Sequence, residues 1–262
     1  MTTSPTPIER AAAALRDARA TRRPIPQVSQ TFGITGLDAA YAVAEVNVRA
    51  RLAEGARIVG KKVGLTSPAV QTQLGVDQPD FGVLFADMEY LTGAEVPMAR
   101  LIQPKMEAEV AFVIGADLGD QVPAWAEFLR AVAYALPALE IVDSAIVDWR
   151  ITLVDTVADN ASSALYVLGD QPVSVGSLQL AALPMTMRRG DVVVSQGTGA
   201  ACLGHPLRAA WWLACTMARQ GRPLKAGEVV MSGALGPMVP ATAGDLFAAD
   251  LGPLGRVSCR MV

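Results

Sequence analysis

Helical periodicity fills the first part of the chain and then stops, and that change of period limits the architectures open to it. Good helix formers run from Ile8 to Ala20 until Arg22, Arg23, Pro24 and Pro26 end the pattern. From Leu37 to Glu54 the residues Leu37, Ala40, Tyr41, Ala44, Val48 and Leu52 fall along one helical face, with Gly55 as the stop. Beyond that point the signal becomes short β-like runs: Arg57 to Leu65, Met106 to Ile114, Leu139 to Val142, Ala164 to Leu168, Met185 to Met187, Val192 to Ser195, Glu228 to Met231 and the terminal Gly255 to Val262. Two further helices are predicted, over Pro123 to Leu136 and over His205 to Gln220, the second stopped by Gly221 and Pro223. Helices first and unevenly spaced strands later predict an α+β protein with a mixed or mostly antiparallel sheet, not the strict alternation of a doubly wound fold. The expected organisation is an N-terminal helical segment, 1–55, and a catalytic β-rich part, 56–262, together one compact unit.

Composition removes whole classes of function. The chain has 22 Lys+Arg against 25 Asp+Glu, a net charge of -3, so it lacks the cationic field that attracts nucleic acid or anionic lipid. Its longest charge-free stretches are broken by Pro, Ser, Gln or Gly short of the roughly 20 apolar residues that span a bilayer. Met1 to Arg10 lacks the basic-then-apolar order of a secretory signal, and a cytoplasmic location is expected. Cys202, Cys215 and Cys259 form no Cys-x-x-Cys pair and read as reduced, buried thiols. The lone histidine, His205, excludes any site needing two imidazoles; preceding Pro206 at a helix start, it reads as a cap. Gln196-Gly197-Thr198-Gly199 lacks the remaining features of a phosphate-binding loop and reads as a turn.

The chemistry is concentrated in Met106-Glu107-Ala108-Glu109-Val110-Ala111-Phe112-Val113-Ile114, where two carboxylates two positions apart share one strand face. Such a pair facing a low-dielectric interior repels itself unless a cation neutralises it; a half-exposed strand showing Glu to water is the other reading. Glu140 is a third acid among core-type residues, in Leu139-Glu140-Ile141-Val142. Three such carboxylates suit Mg²⁺ or Mn²⁺ with positions left for water and an oxyanion substrate, whereas calcium-loop and zinc patterns are missing.

Several segments resemble one family. Gly60-Lys61-Lys62-Val63-Gly64-Leu65-Thr66-Ser67, Leu74-Gly75-Val76-Asp77-Gln78-Pro79-Asp80-Phe81-Gly82, the Glu-Ala-Glu strand and Asp155-Thr156-Val157-Ala158-Asp159-Asn160-Ala161-Ser162-Ser163 are similar, in order and spacing, to the 2-hydroxypenta-2,4-dienoate (2-oxopent-4-enoate) hydratases. These belong to the fumarylacetoacetate hydrolase superfamily, and the resemblance runs from about Arg57 to the C-terminus. It implies a mixed β-sheet roll with flanking helices. It also implies Glu107, Glu109 and Glu140 as ligands of Mg²⁺ or Mn²⁺, Lys62 and Asp80 as acid/base or substrate-orienting groups, and Leu65, Asn160, Ser162 and Ser163 near the substrate. Lys62 is expected to be lowered in pKa by the cation and by burial, and Lys61, its strand neighbour, to face solvent. The implied reaction is hydration of 2-hydroxypenta-2,4-dienoate to 4-hydroxy-2-oxopentanoate in meta-cleavage breakdown of aromatic compounds, by a homo-oligomer with a pathway decarboxylase or aldolase as partner. The residues leave open a 2-oxo-3-hexenedioate (4-oxalocrotonate) decarboxylase, an acylpyruvate-type C–C hydrolase, and an oligomeric partner subunit without turnover. Cys202-Leu203-Gly204-His205-Pro206-Leu207 and Gly233-Ala234-Leu235-Gly236-Pro237-Met238-Val239 look like the hydratases. A second substrate carboxylate would need a further cationic clamp that the sequence does not identify.

Overall fold

In the computed structural model of the chain, which describes residues 4–67, 71, 76 and 78–262, the first helix begins where Thr6 and Glu9 close a capping box. Glu9 N–H donates to Thr6 Oγ1 at 3.2 Å and Thr6 N–H to Glu9 Oε2 at 2.7 Å, with Pro7 preset for the first turn. Helix α1 (Pro7–Thr21) ends at Arg22 in the left-handed region, and α2 (Val28–Phe32) and α3 (Gly36–Ala53) follow. The strands are β1 (Ile58–Gly64), β2 (Asp80–Phe85), β3 (Glu89–Leu91), β4 (Ala94–Val96) and β5 (Pro104–Ile114). After α4 (Trp125–Ala131) come β6 (Val132–Asp143), α5 (Leu153–Ala158), β7 (Ser163–Leu168), β8 (Pro184–Arg189) and β9 (Val192–Thr198). Helix α6 (Pro206–Arg219), β10 (Val229–Met231), β11 (Val239–Pro240), β12 (Leu246–Asp250) and β13 (Arg256–Met261) complete the chain. Leu74, Gly75 and Asp77 of the second motif lie outside the described residues.

Among the described residues the strands form two sheets. The larger has the order β2-β1-β10-β5-β6-β7-β3, with β11 also paired to β5; the smaller is β4-β13-β12-β8-β9. Parallel pairs (β1 with β10, β3 with β7, β4 with β13) mix with antiparallel ones, so the α+β architecture with a mixed sheet is the one observed. β12 and β13 lie against β6, and α6 lies against β1. One apolar cluster fills the space around the sheets, built on residues such as Phe112, Phe128, Leu139, Tyr166 and Phe247. A second cluster joins α1, α2 and α3 to Ala145, Ile146, Val157 and Ala158. Arg19 ties that helical layer down: its guanidinium donates to Asp159 Oδ1 at 2.8 and 3.0 Å and to the Asp143 carbonyl at 2.8 Å. Tyr41 of α3 stacks on Phe81 at 4.5 Å, and its hydroxyl accepts the Phe81 N–H.

Several expectations need correction. The helix predicted over Pro123 to Leu136 ends at Ala131, and Val132 to Leu136 instead open β6, because pairing with β5 from Ile114↔Val132 onward outweighs local helix preference. The predicted strand over Leu139 to Val142 is the C-terminal part of that 12-residue strand. Gln196 to Thr198 is not a turn; it continues β9, paired to β8 with Pro184↔Thr198 and Met185↔Gly197. Lys61 points to the opposite face from Lys62, yet it does not face solvent: it is buried and pairs with Glu228 at 2.6 Å. His205 does cap α6, its Nδ1 accepting the Leu207 N–H at 3.2 Å, and all three cysteines are free and buried.

Candidate metal centre

The antiparallel register of β5 and β6 sets Glu107 opposite Glu140 and Glu109 opposite Ala138. Strand alternation keeps Glu107 and Glu109 on one face, and directly opposed residues share a face, so the three carboxylates converge. One oxygen from each lies within 4.8 Å of the others. Glu109 and Glu140 are fully buried and Glu107 half-buried. Glu109 Oε2 accepts the Gly233 N–H at 2.8 Å, but Glu109 Oε1 and both oxygens of Glu140 have no hydrogen-bond partner. Gly233 is at φ 97, a left-handed backbone where a Cβ would also meet the Thr66 side chain, so this peptide can reach Glu109 only as glycine.

Electrostatics make the cluster costly by itself. Burial first, then the neighbouring Glu140, pushes Glu107 up to about 7 from 4.5. The same causes, with Glu107 added, raise Glu109 well above the carboxylate range, and burial raises Glu140 although Lys62 pulls it down. Lys62, on β1, brings its Nζ to 3.3 Å from Glu140 Oε1. Burial disfavours its ammonium, but Glu140, Asp80, Glu107 and Glu109 together outweigh burial and hold the Lys62 pKa above the ordinary value. This upward shift belongs to the cluster without a cation, whereas the expected lowering refers to the cation-loaded site. Asp80, the first residue of β2, faces Gly64 in register, and a Cβ on Gly64 would land on Asp80 Oδ1. Burial raises Asp80, Lys62 opposes, and Oδ1 has no hydrogen-bond partner.

Unpartnered buried carboxylate oxygens with no His or Cys donor in the cluster fit a hard divalent cation and oxygen-only coordination. One lysine cannot neutralise three glutamates and an aspartate, and a divalent ion held there would supply charge of the missing sign.

Leu65 follows β1 with φ 55, and its carbonyl accepts the Gln71 Nε2 donor at 2.7 Å. Asn160, Ala161 and Ser162 are three consecutive left-handed residues. Asn160 grips β2 through Val83, accepting its N–H at 2.8 Å and donating to its carbonyl at 2.9 Å. Ser162 Oγ shares a hydrogen bond with Thr156 Oγ1 at 3.1 Å. Asn160 and Ser163 line a cavity of about 410 Å³ between α1, α3 and the sheet, and this cavity does not include the acidic cluster. Among the described residues, none of Asn160, Ser162 or Ser163 hydrogen-bonds to the three glutamates, Lys62 or Asp80. The sequence did not disclose the Gly233 contact. Cys202 and Ser232 also brace this segment, the thiol donating to the Gly233 carbonyl at 2.9 Å and the hydroxyl at 3.2 Å.

A mixed-sheet protein carrying a buried Glu-x-Glu pair and a third glutamate on the adjacent strand is of the fumarylacetoacetate hydrolase type. A sequence model of the fumarylacetoacetate (FAA) hydrolase C-terminal family matches residues 57–262, and the chain belongs to that family. It is 56% identical over 250 residues to 2-keto-4-pentenoate hydratase 1 of Dechloromonas aromatica, covering 95% of each chain. It is 46% identical over 221 residues to a 2-hydroxyhexa-2,4-dienoate hydratase of Comamonas testosteroni, covering 84% of each. Among solved structures, a 4-oxalocrotonate decarboxylase from Pseudomonas putida G7, complexed with magnesium and adipate, superposes with a TM-score of 0.91 at 33% identity, over 100% of this chain and 99% of that one.

Proposed function

We propose that the chain is a hydro-lyase that adds water to 2-hydroxypenta-2,4-dienoate, the enol form of 2-keto-4-pentenoate, giving 4-hydroxy-2-oxopentanoate in the meta-cleavage breakdown of aromatic compounds. The observation that carries this reading is the buried cluster of Glu107, Glu109 and Glu140, with unpartnered oxygens, beside Lys62. The hydratase names of relatives up to 56% identical support the substrate class. Glu107, Glu109 and Glu140 hold Mg²⁺ or Mn²⁺, which when bound supplies Lewis-acid polarisation of the substrate C2 oxygen. Lys62 Nζ and Asp80 handle the protons: one leaves the C2 hydroxyl as one arrives at C5, and the water that adds at C4 gives up one proton as C3 gains one. Burial of both groups keeps bulk water from competing for those transfers. Leu65 and the 160–163 segment shape the substrate side, the latter by fixing β2 and hence Asp80. Catalysis is assigned to 56–262, with 1–55 as its helical cover, in a homo-oligomer. The product, a β-hydroxy ketone, is a substrate for retro-aldol cleavage, so an aldolase is the chemical successor.

The full-length superposition on a decarboxylase favours one second reading, loss of CO₂ from 2-oxo-3-hexenedioate. The test is an ultraviolet assay for loss of the conjugated dienol with Mg²⁺ or Mn²⁺, run with and without chelator, with the product identified. Metal-dependent formation of 4-hydroxy-2-oxopentanoate is expected. An inert dienoate, together with CO₂ release from the hexenedioate, supports the second reading and overturns the first.

A further inference from the structure

Strand β5 carries a third charged side chain on the face that holds Glu107 and Glu109. Lys105 lies two residues before Glu107, about 7 Å further along the strand on the same side of the pleat. Its position is built. The Lys105 Nζ rests 4.2 Å over the Trp149 ring, and the Trp149 Nε1–H donates to the Gln103 carbonyl at 2.9 Å. Gln103 in turn fixes the loop carrying that ring: its Nε2 donates to the Ser144 and Ile146 carbonyls, and its Oε1 accepts the Asp148 N–H at 3.0 Å. Among the described residues Lys105 makes no ion pair, although most other buried or half-buried cations of the larger sheet and its helices do.

The acidic cluster thus stands between two cations. Lys62, with Asp80, is on the flank toward β1 and β2, and Lys105 is at the end of the face beyond Glu107. Resting on the reading of this site as one for 2-oxo acids, we infer that Lys105 is a substrate-binding residue that pairs with the C1 carboxylate. A 2-oxo acid presenting C1 and C2 to the cluster has two orientations. Proton transfer at C3 and C5 requires the unsaturated tail on the Lys62 and Asp80 flank. That leaves the carboxylate oxygen not used at the cluster facing Lys105, where the indole shelf holds the ammonium and a charge-assisted hydrogen bond completes it. The same lysine, at the carboxylate end, supplies no clamp for a second carboxylate at the far end of the substrate. This favours a monoacid.

The test measures pyruvate binding to the Mn²⁺-loaded full chain by water-proton relaxation, for the parent protein, Lys105→Met and Lys105→Arg, with thermal melting as the control for folding. Loss of the charged partner is expected to weaken pyruvate about tenfold or more in Lys105→Met, while Mn²⁺ affinity stays within about twofold. Lys105→Arg, retaining the charge, restores most of the binding. Pyruvate binding by Lys105→Met equal to the parent overturns the assignment of Lys105 and leaves the metal cluster intact. Loss of Mn²⁺ binding in Lys105→Met also overturns it, by placing Lys105 in the metal centre. Failure of the Mn²⁺-loaded parent to bind pyruvate overturns the reading of the site together with the inference.

Discussion

Each of the three glutamates is cheap in water and expensive on a dry sheet face, and among the described residues Lys62 is the cation common to all three. Glu109→Gln removes a buried charge while keeping the shape. We expect Mn²⁺ affinity to fall about 100-fold, measured by calorimetry, while the melting temperature in chelator stays level or rises because one repulsion is gone. Glu107 also dictates a pH dependence. Its folded pKa, about 7, lies above its ordinary 4.5, so protonation is linked to folding. The resulting stability is present below the ordinary value and is lost as pH rises through about 7. Metal-free protein is therefore expected to unfold at lower urea concentration at about pH 8 than at about pH 5, and Mn²⁺ to abolish the difference. A flat or opposite profile contradicts the burial of this charge. The Glu107 and Glu109 pairing was readable because strand alternation is a property of spacing alone. The Gly233 N–H on Glu109 was not, since the two residues are 124 positions apart and only the sheet brings them together.

At the level of elements, strand β2 shows how a site residue depends on its neighbours. It starts at Asp80, is buried throughout, and is held by the Asn160 side chain through both polar groups of Val83. Asn160→Ala leaves that N–H and C=O without the amide. We expect a loss of about 1–3 kcal/mol in denaturant unfolding, with metal affinity unchanged. A loss of Mn²⁺ binding instead of stability contradicts this structural role. The helices α1, α3 and α6 were legible to within a residue or two, because their periodic faces and stops are local. β2 was not, since Asp80 to Phe85 contains Gly82 and only pairing with β1 makes a strand of it. The same competition explains Val132 to Leu136, an apolar run that suits a helix until β5 lies beside it.

Across the whole molecule, a partly exposed arginine is one of the ties between the helical layer and the sheets, beside the Tyr41–Phe81 stack. Arg19 of α1 faces two buried carboxylates, Asp143 at the end of β6 and Asp159 after α5. Arg19→Met is expected to cost about 2–3 kcal/mol, at or below the usual range for breaking a buried pair because the arginine retains some water, and chevron or equilibrium unfolding measures it. Among the described residues no helix is long and apolar enough to cross a membrane. The broad order of helices then sheet was visible in the sequence, whereas the division into two sheets was not, because strand partners separated by more than 100 residues leave no local trace. Crystals grown with Mn²⁺ and measured at its absorption edge test whether Glu107, Glu109 and Glu140 gather round one divalent cation: an anomalous peak bonded to all three carboxylates is expected, and a peak elsewhere, or none while the three side chains turn apart, overturns the proposed metal centre.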